Sequence, residues 1–360
     1  MSVEVIEKLD SQVERQVRSF LSAAPRAAGV CIEHDPHWLH VLQSGLRHRP
    51  FMLVARENGE KVNGYLPLVL VASRLFGRFL VSLPYLNRGG VVADSEKTRD
   101  ELISKAVALA EEHDVQYLEL RHSDPIEHDA LDASRGEKVR MVLELPKSEE
   151  ALWDHYSAKV RNQIRKGEKF DMKIKWGGRE ILDEFYDVFS VNMRDLGTPV
   201  YSSRLFGSIL DEFSDRAELA VVSHENETVA GALLVHDRVN DETGDNAGSC
   251  SQVPSASCLR AANRINANMW MYHNLLLRAI ERGSAEFDFG RSSEGSGTFR
   301  FKKQWGAAPQ KTVWQYHLRK GDINDMRPDN PKNRRKIEMW QKMPVWLTRM
   351  VGPTIVRGIP

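Results

Sequence analysis

Residues 53–68, LVARENGEKVNGYLPL, lie on residues 220–235, AVVSHENETVAGALLV, without a gap, so that Val62-Asn63-Gly64 falls on Val229-Ala230-Gly231 at an offset of 167. Each piece has two apolar runs flanking a polar Asn/Gly/Glu turn, the pattern of a β-hairpin. Further on, EEHDVQYLEL (111–120) matches IERGSAEFDF (280–289) at an offset of 169, an apolar helical stretch running into a short strand in both. Two different elements recurring at nearly one offset predict duplication of a unit of about 170 residues; chance similarity of generic hairpins is the bland alternative. Helices are expected at ELISKAVALAEE (101–112) and MYHNLLLRAIER (271–282). Each half then runs helix, helix, hairpin, connection, helix, strand. A helix between strands favours a crossover connection, hence an α/β (mixed α+β) fold with a mixed sheet covered by helices. The boundary is expected near Pro146, after the strand-like KVRMVLELP. A helix capped by Ser148 should follow, with Leu152, Trp153, Tyr156, Val160 and Ile164 as its apolar stripe and Gly167 ending it.

At 360 residues the chain is long for one domain and comfortable for two. Its 41% apolar and 28% charged content is that of an ordinary globular protein, with no apolar run of 18 residues to span a membrane. The acidic start, MSVEVIEKLD, lacks the plan of a signal peptide, so the expected location is cytoplasmic. Cys31, Cys250 and Cys258 fit no zinc or redox spacing and are expected as free thiols. Net charge is zero but uneven. Residues 327–360 carry eight Lys/Arg against two Asp/Glu, leaving 50 − 8 = 42 basic and 50 − 2 = 48 acidic groups elsewhere. This is not the chain-wide basic balance of a nucleic-acid binder.

The stretch FDFGRSSEGSGTFRFKKQWG, residues 287–306, holds four glycines and a lysine pair between aromatics. It fails GxxxxGK[ST] and does not open a helix with GxGxxG. What remains is the strand EFDF, the loop GRSSEGSG and then FRFKKQW. After Leu120 the first repeat has only RHSDPIEHDALD, so the loop belongs to one copy alone. Gly290, Gly295 and Gly297 would let backbone amides approach a ligand, and Arg291, Lys302 and Lys303 add positive charge. Read as a strand, FRFKKQW sends Lys302 and Lys303 to opposite faces, one of them inward beside Phe299, Phe301 or Trp305. Such a lysine suits a developing oxyanion or a phosphate; a plain surface turn is the alternative.

In SAKVRNQIRKGEKF (157–170), Arg161 and Arg165 stand one turn apart, either as a solvated face or as phosphate contacts. The tail NRRKIEMWQKMPVWLTRMVGPTIVRGIP mixes Lys/Arg with Trp340, Trp346, Leu347, Met350 and Val351. It reads equally as an interfacial anchor for anionic lipid or as a segment packed on the body, extended through Pro353 and Pro360. His34, His37 and His40 lack partners at metal-ligand spacing, so no metal is expected. GxSxG is absent, which disfavours a serine hydrolase.

FDFGRSSEGSGTFRFKKQWG resembles the signature of the FemAB-like proteins, as do NMRDLGTPVYS (192–202), SLPYLNRGG (82–90), SAKVRNQIRKGEK and the closing PDNPKNRRKIEMWQKMP. Together the motifs are similar to those of the subgroup associated with XrtA/PEP-CTERM exosortase and exopolysaccharide systems, from about Trp38 to the C-terminus. The resemblance implies two tandem GNAT-like (acyl-CoA N-acyltransferase) domains. The expected division is 1–146, then 147–320 carrying the active site, then a basic amphipathic tail, 321–360. It also implies acyl or aminoacyl transfer to an amine of a cell-envelope precursor, a peptide or an amino sugar, with acyl-CoA or aminoacyl-tRNA as donor. The family lysine maps to Lys302, and the aromatic at the start of the preceding helix to Tyr272. In direct attack within a ternary complex, Lys302 would stabilise the oxyanion or donor phosphate, Gly295 and Gly297 amides would position the donor, and Asp288 or Glu294 would relay the amine's proton. Two rivals stand beside this: a CoA-dependent N-acyltransferase decorating an exopolysaccharide sugar, and a non-catalytic component of the polysaccharide machinery.

Overall fold

The structure, a computed structural model, describes residues 2–24, 29–237, 249–321 and 334–360. It divides into two compact units, one of residues 1–136, 311–334 and 354–360 and the other of residues 137–310 and 335–353. Of the tail expected from residue 321, residues 322–333, including PDNPKN, lie outside the described residues.

The first unit opens with β1 (Ser2–Ile6), α1 (Ser11–Ala23) and α2 (His37–Leu46). The hairpin β2 (Arg49–Glu57) and β3 (Lys61–Ser73) follows, then β4 (Gly77–Val81), β5 (Val92–Ala93), α3 (Glu96–Glu112), β6 (Tyr117–His122) and β7 (Ala133–Arg135). Late in the chain β15 (Val313–Leu318) returns to this sheet, whose order is β1-β2-β3-β4-β6-β15-β7 with β5 on β3. The pair β4/β6 is parallel, joined by the α3 crossover, while the neighbouring pairs are antiparallel. Leu102, Ile103 and Ala106 of α3 bury against Phe51, Leu53, Leu66 and Leu68 on one sheet face. Gly64 marks where α3 comes closest, since a Cβ there would stand 2.7 Å from Thr98 Cγ2 and 2.8 Å from Leu102 Cδ1.

The second unit begins with β8 (Lys138–Glu144), α4 (Glu149–His155) and α5 (Ala158–Glu168), then β9 (Lys173–Gly177), α6 (Leu182–Leu196) and α7 (Ser203–Glu212). There follow β10 (Ala217–His224), β11 (Glu227–His236), β12 (Cys250–Cys258), α8 (Ala267–Glu281), β13 (Glu286–Ser293), α9 (Gly297–Lys303) and β14 (Ala308–Lys311). Its sheet order is β14-β8-β13-β12-β11-β10-β9, and β12/β13 is the parallel pair, joined through α8. Met271, Leu275 and Leu276 of α8 pack with Ala220, Val222, Ala232, Phe287 and Phe289. From the tail, α10 (Arg334–Gln341) and α11 (Val345–Val356) complete the helices.

The two units repeat one arrangement: two helices, a hairpin, a third strand, a crossover helix and a parallel strand. The ungapped alignment of the hairpins nevertheless slips. Ala55 and Val222 face the crossover helix at the expected offset of 167, but across the turn Ala55 pairs with Gly64 and Val222 with Ala230, an offset of 166. The first turn holds three residues, 58–60, and the second two, 225–226, and one residue moves a side chain to the other face. The strand before Pro146 is β8, which pairs with β13, so the contact division falls between Gly136 and Glu137.

Three local expectations are corrected. The helix expected from Ser148 to Gly167 is two helices. Tyr156 is extended, and Ser157 starts α5 by accepting from Val160 N at 3.4 Å. Gly167 is the penultimate residue of α5 and not a left-handed cap beyond it; a Cβ there would come within 2.9 Å of Trp270 Cβ. Tail residue Pro353 lies within α11 and not in an extended run.

Candidate functional site

The site is built where two strands part. β12 and β13 pair in parallel only from Cys250/Glu286 to Gln252/Asp288, although β12 runs on to Cys258 and β13 to Ser293. Each strand bends there. On β12, Val253 and Pro254 oppose the single residue Leu234, a bulge that spares a ladder position the proline could not donate to. On β13, Phe289 and Gly290 oppose Met141 of β8, and Gly290 takes a φ of +77°, a left-handed conformation cheap only for glycine.

Asp288 locks the β13 bulge. Its Oδ1 accepts from Gly290 N at 2.7 Å, and its Oδ2 faces Arg140 Nη1 at 3.3 Å, with both side chains buried. Arg140 also donates to Gln310. Arg140 carries no signal of its own in the sequence, being one basic residue in the apolar run KVRMVLE.

The segment FRFKKQW is not a strand but lies mostly in helix α9, begun by Ser296, whose Oγ accepts from Phe299 N at 3.1 Å. Lys302 and Lys303 are therefore neighbours on a helix and not on opposite faces of a sheet. Lys302 points inward and is 9% exposed, donating from Nζ to Gly290 O at 3.1 Å and Arg291 O at 3.0 Å. Burial draws its pKa down to about 8, against a smaller upward pull from Asp288. Lys303 stays exposed, 6.0 Å from the Phe299 ring centre. Glu294, Gly295 and Gly297 form the exposed rim, and a Cβ at either glycine would meet nothing within 4 Å. Arg291 is half-buried on β13.

Tyr272 is brought beneath this loop and buried: it stacks on Phe289 at 5.7 Å and meets Phe301 edge-on at 4.9 Å. Burial raises its hydroxyl pKa. Arg161 and Arg165 go elsewhere on α5. Arg161 donates to Trp153 O at 3.3 Å, and exposed Arg165 sits 5.3 Å from the Trp153 ring. Two buried groups near the parting strands have no hydrogen-bond partner among the described residues: Gln252 Nε2 and Ser292 Oγ.

The first unit has the same strand pair, whose ladder also ends, at Val81/Glu119, and it fills that end with side chains. Ser82 N donates to Glu119 O at 2.9 Å, and Arg121 N donates to Ser82 Oγ at 2.8 Å. Arg121, at the place of Gly290 by the offset of 169, is 1% exposed. It binds Glu119 at 2.6 Å, donates to the carbonyls of Leu83 and Leu86, and lies 3.9 Å over Trp314. β6 pairs with β15 without a bulge. Arg121 also lines a cavity of about 400 Å³ with His34, Arg88, Asp94, Arg99 and His122, which contains none of the sequence-predicted site residues.

Two other groups of polar side chains stand apart from the glycine loop. Ser251 Oγ lies 2.6 Å from His236 Nδ1, and His236 Nε2 lies 3.0 Å from Glu218, a relay of nucleophile, base and acid. Ser251 is fully buried, and although burial pushes the Glu218 carboxyl up, hydrogen bonds from His236, Arg278 and Arg282 outweigh it and hold it far below its usual range. Such a relay braces the sheet. His34, His37 and His40 take separate partners, Gly90 O, Asp35 and Glu14, and no group of metal-ligating side chains gathers among the described residues.

A family profile described as an acetyltransferase (GNAT) domain matches residues 155–241. A comparison with curated protein sequences finds no match. Among solved structures, FemX superposes with a TM-score of 0.63 at 15% identity, covering 88% of this chain and 97% of its own. L-PGS from Bacillus licheniformis gives 0.55 at 14%, covering 98% of each chain. A tandem GNAT protein from the clavulanic acid biosynthesis pathway, determined without AcCoA, gives 0.54 at 13%, covering 89% and 100%. At these identities the likeness is one of fold: the chain is two tandem GNAT-like domains with mixed sheets.

Proposed function

We propose that the second unit transfers an acyl or aminoacyl group from an activated donor to an amine of a cell-envelope precursor, a peptide or an amino sugar. One contrast carries this reading. The parallel ladder ends at equivalent residues in both copies, Glu119 and Asp288, but there the first copy has the Arg121 plug and the second has the Gly290 bulge and a glycine loop open to solvent. Beyond Gln252 the β13-facing edge of β12 pairs with no strand among the described residues, so an extended amide-bearing donor arm could add there as a further strand.

The chemistry needs no covalent enzyme intermediate. The neutral amine attacks the donor carbonyl; the new C–N bond forms, the C–S or C–O bond breaks, and the amine's proton leaves to a base or water. Lys302 uses two of its three N–H donors on carbonyls and directs positive charge at the donor end of the gap, toward a phosphate or the oxyanion. Asp288 acts through the bulge it holds. Of the two carboxylates proposed to relay the proton, Glu294 is the one exposed on the rim. The matched profile, described as an acetyltransferase domain, supports an acyl-CoA donor, and the sequence resemblance to FemAB-like proteins is what points to an aminoacyl-tRNA donor. The closing motifs support the exosortase-associated subgroup.

Thermal unfolding with acetyl-CoA, longer acyl-CoAs and aminoacyl-tRNA separates the donors, since a ligand at 100 times its dissociation constant stabilises by about 2.7 kcal/mol. Gly297→Val is the site control: its φ is ordinary and the space beyond a Cβ is open, so it should fold as the parent and lose the shift. Stabilisation by none of the donors, or a shift untouched by Gly297→Val, would remove this site from the reaction.

A further inference from the structure

The tail helices bury one face and leave another uncovered. Within the second unit, Thr348 is 1% exposed, Gly352 approaches Val200 so closely that a Cβ would stand 2.8 Å from its backbone nitrogen, and Arg349 pairs with Asp187 at 2.6 Å. Trp346 and Met350 are one turn apart on α11, each about 200° around the helix from Thr348, and therefore point away from the body. They are 66% and 64% exposed. On α10, Ile337 lies against Gly197, while Met339 faces outward at 70% exposure, and Leu196 beside that contact is 58% exposed. Large apolar side chains are seldom left this open in such number on one stretch.

The polar residues around them have one prevailing sign. Arg335, Lys336 and Lys342 are exposed on α10 and its link to α11, and Glu338 is the acidic residue among positions 335–353. No helix of the described residues is long and apolar enough to cross a membrane. A short amphipathic element with an outward tryptophan, flexible methionines and flanking lysines has the composition of a segment lying in the headgroup layer. We propose that the α10–α11 face seats on an anionic lipid bilayer, with Trp346 and Met350 entering the interface and Lys336 and Lys342 meeting lipid phosphates. The proposal stands apart from the transferase reading, because none of these residues belongs to the site on β13 and α9.

The test is cosedimentation of the full chain with vesicles of phosphatidylcholine alone and of phosphatidylcholine with about one-third phosphatidylglycerol. Binding is expected to the second and not the first, weakening as salt is raised. Trp346→Ser with Met350→Ser should lower partitioning about tenfold or more, and Lys336→Glu with Lys342→Glu should abolish the preference for anionic lipid. All four positions are exposed, and unchanged melting confirms folding of each variant. Equal binding to both vesicles, or a double serine variant that binds as the parent does, overturns the proposal. So does a concentration-dependent dimer in gel filtration that the serine substitutions dissolve, because the face would then cover a second copy.

Discussion

Arg121 and Gly290 occupy equivalent places in two copies of one strand pair, and the two residues leave the end of the ladder in different states. The guanidinium reaches two loop carbonyls, a carboxylate and a tryptophan face, whereas glycine permits a left-handed bulge whose carbonyls Lys302 collects. Lys302 can then be tested through its charge. With a pKa of about 8 it is cationic below that pH and neutral above, so donor affinity should fall as pH rises through 8. Lys302→Arg, which stays charged, should carry that limb to higher pH; an unmoved limb assigns the titration to another group. Asp288 needs a different experiment, because its first effect is on folding. Asp288→Ala would leave Arg140 buried without its carboxylate, at a cost of about 3–5 kcal/mol by denaturant unfolding. If Asp288 only positions the bulge, Asp288→Asn, which still accepts from Gly290 N, should keep more transfer activity than Asp288→Ala. Equal and complete loss in both, with Asp288→Asn fully folded, would make Asp288 the proton acceptor.

Elements were legible in the sequence where hydrophobic period and tertiary demand agreed. The hairpins, the crossover helices and the strands after them follow from alternation and 3.6-residue stripes, and from their recurrence. At three places a partner elsewhere in the fold overrides the local signal. FRFKKQW alternates like a strand, yet Ser296 caps it into a helix that lays Phe301 on Tyr272. The apolar stripe continues through Tyr156, but that residue leaves the helix to meet Trp305 and His273. Gly167 sits one residue before the end of α5, but what requires a glycine there is the close approach of α5 to α8 and not a left-handed cap. That last point is quantitative. Alanine in a helix interior is favoured over glycine by about 1 kcal/mol, so Gly167→Ala would stabilise an isolated helix. Here its Cβ would stand 2.9 Å from the Cβ of Trp270, and overpacking a stiff contact costs about 1–3 kcal/mol. A net loss of about 1 kcal/mol is expected from denaturant unfolding; a gain would show that the two helices move apart freely.

Across the whole molecule the duplication is exchanged as well as repeated: β8, ahead of the second repeat, and β15, after it, fill the matching antiparallel position beside β13 and β6 in the two sheets. No periodicity could show that, because a strand's own pattern does not name its partner. The copies also differ in their buried histidines. Burial lowers the pKa of His34, His48 and His122 in the first unit to about 4, and that of His273 in the second to about 4. Each stays neutral in the folded chain while its unfolded counterpart takes up a proton below about pH 6.5, so the unfolded state binds more protons and stability falls as pH drops. The loss begins near 6.5, is complete by about 4, and has an upper bound of order 3 kcal/mol per histidine. Depressed carboxylates such as Glu218 lose their contribution only as pH falls below about 4.5, which leaves the window from 6.5 to 4.5 to the histidines. Three of these lie in the first unit against one in the second; burial also lowers the pKa of His113 in the first and His236 in the second, which makes four against two, so hydrogen exchange at pH 5 should open β6 and α3 before β13 and α8. His122→Asn, which can still bond Gln315, should remove part of that difference. Equal acid lability in both units would mean that the histidines accept protons in place through local opening, and that their burial stores no pH-dependent free energy.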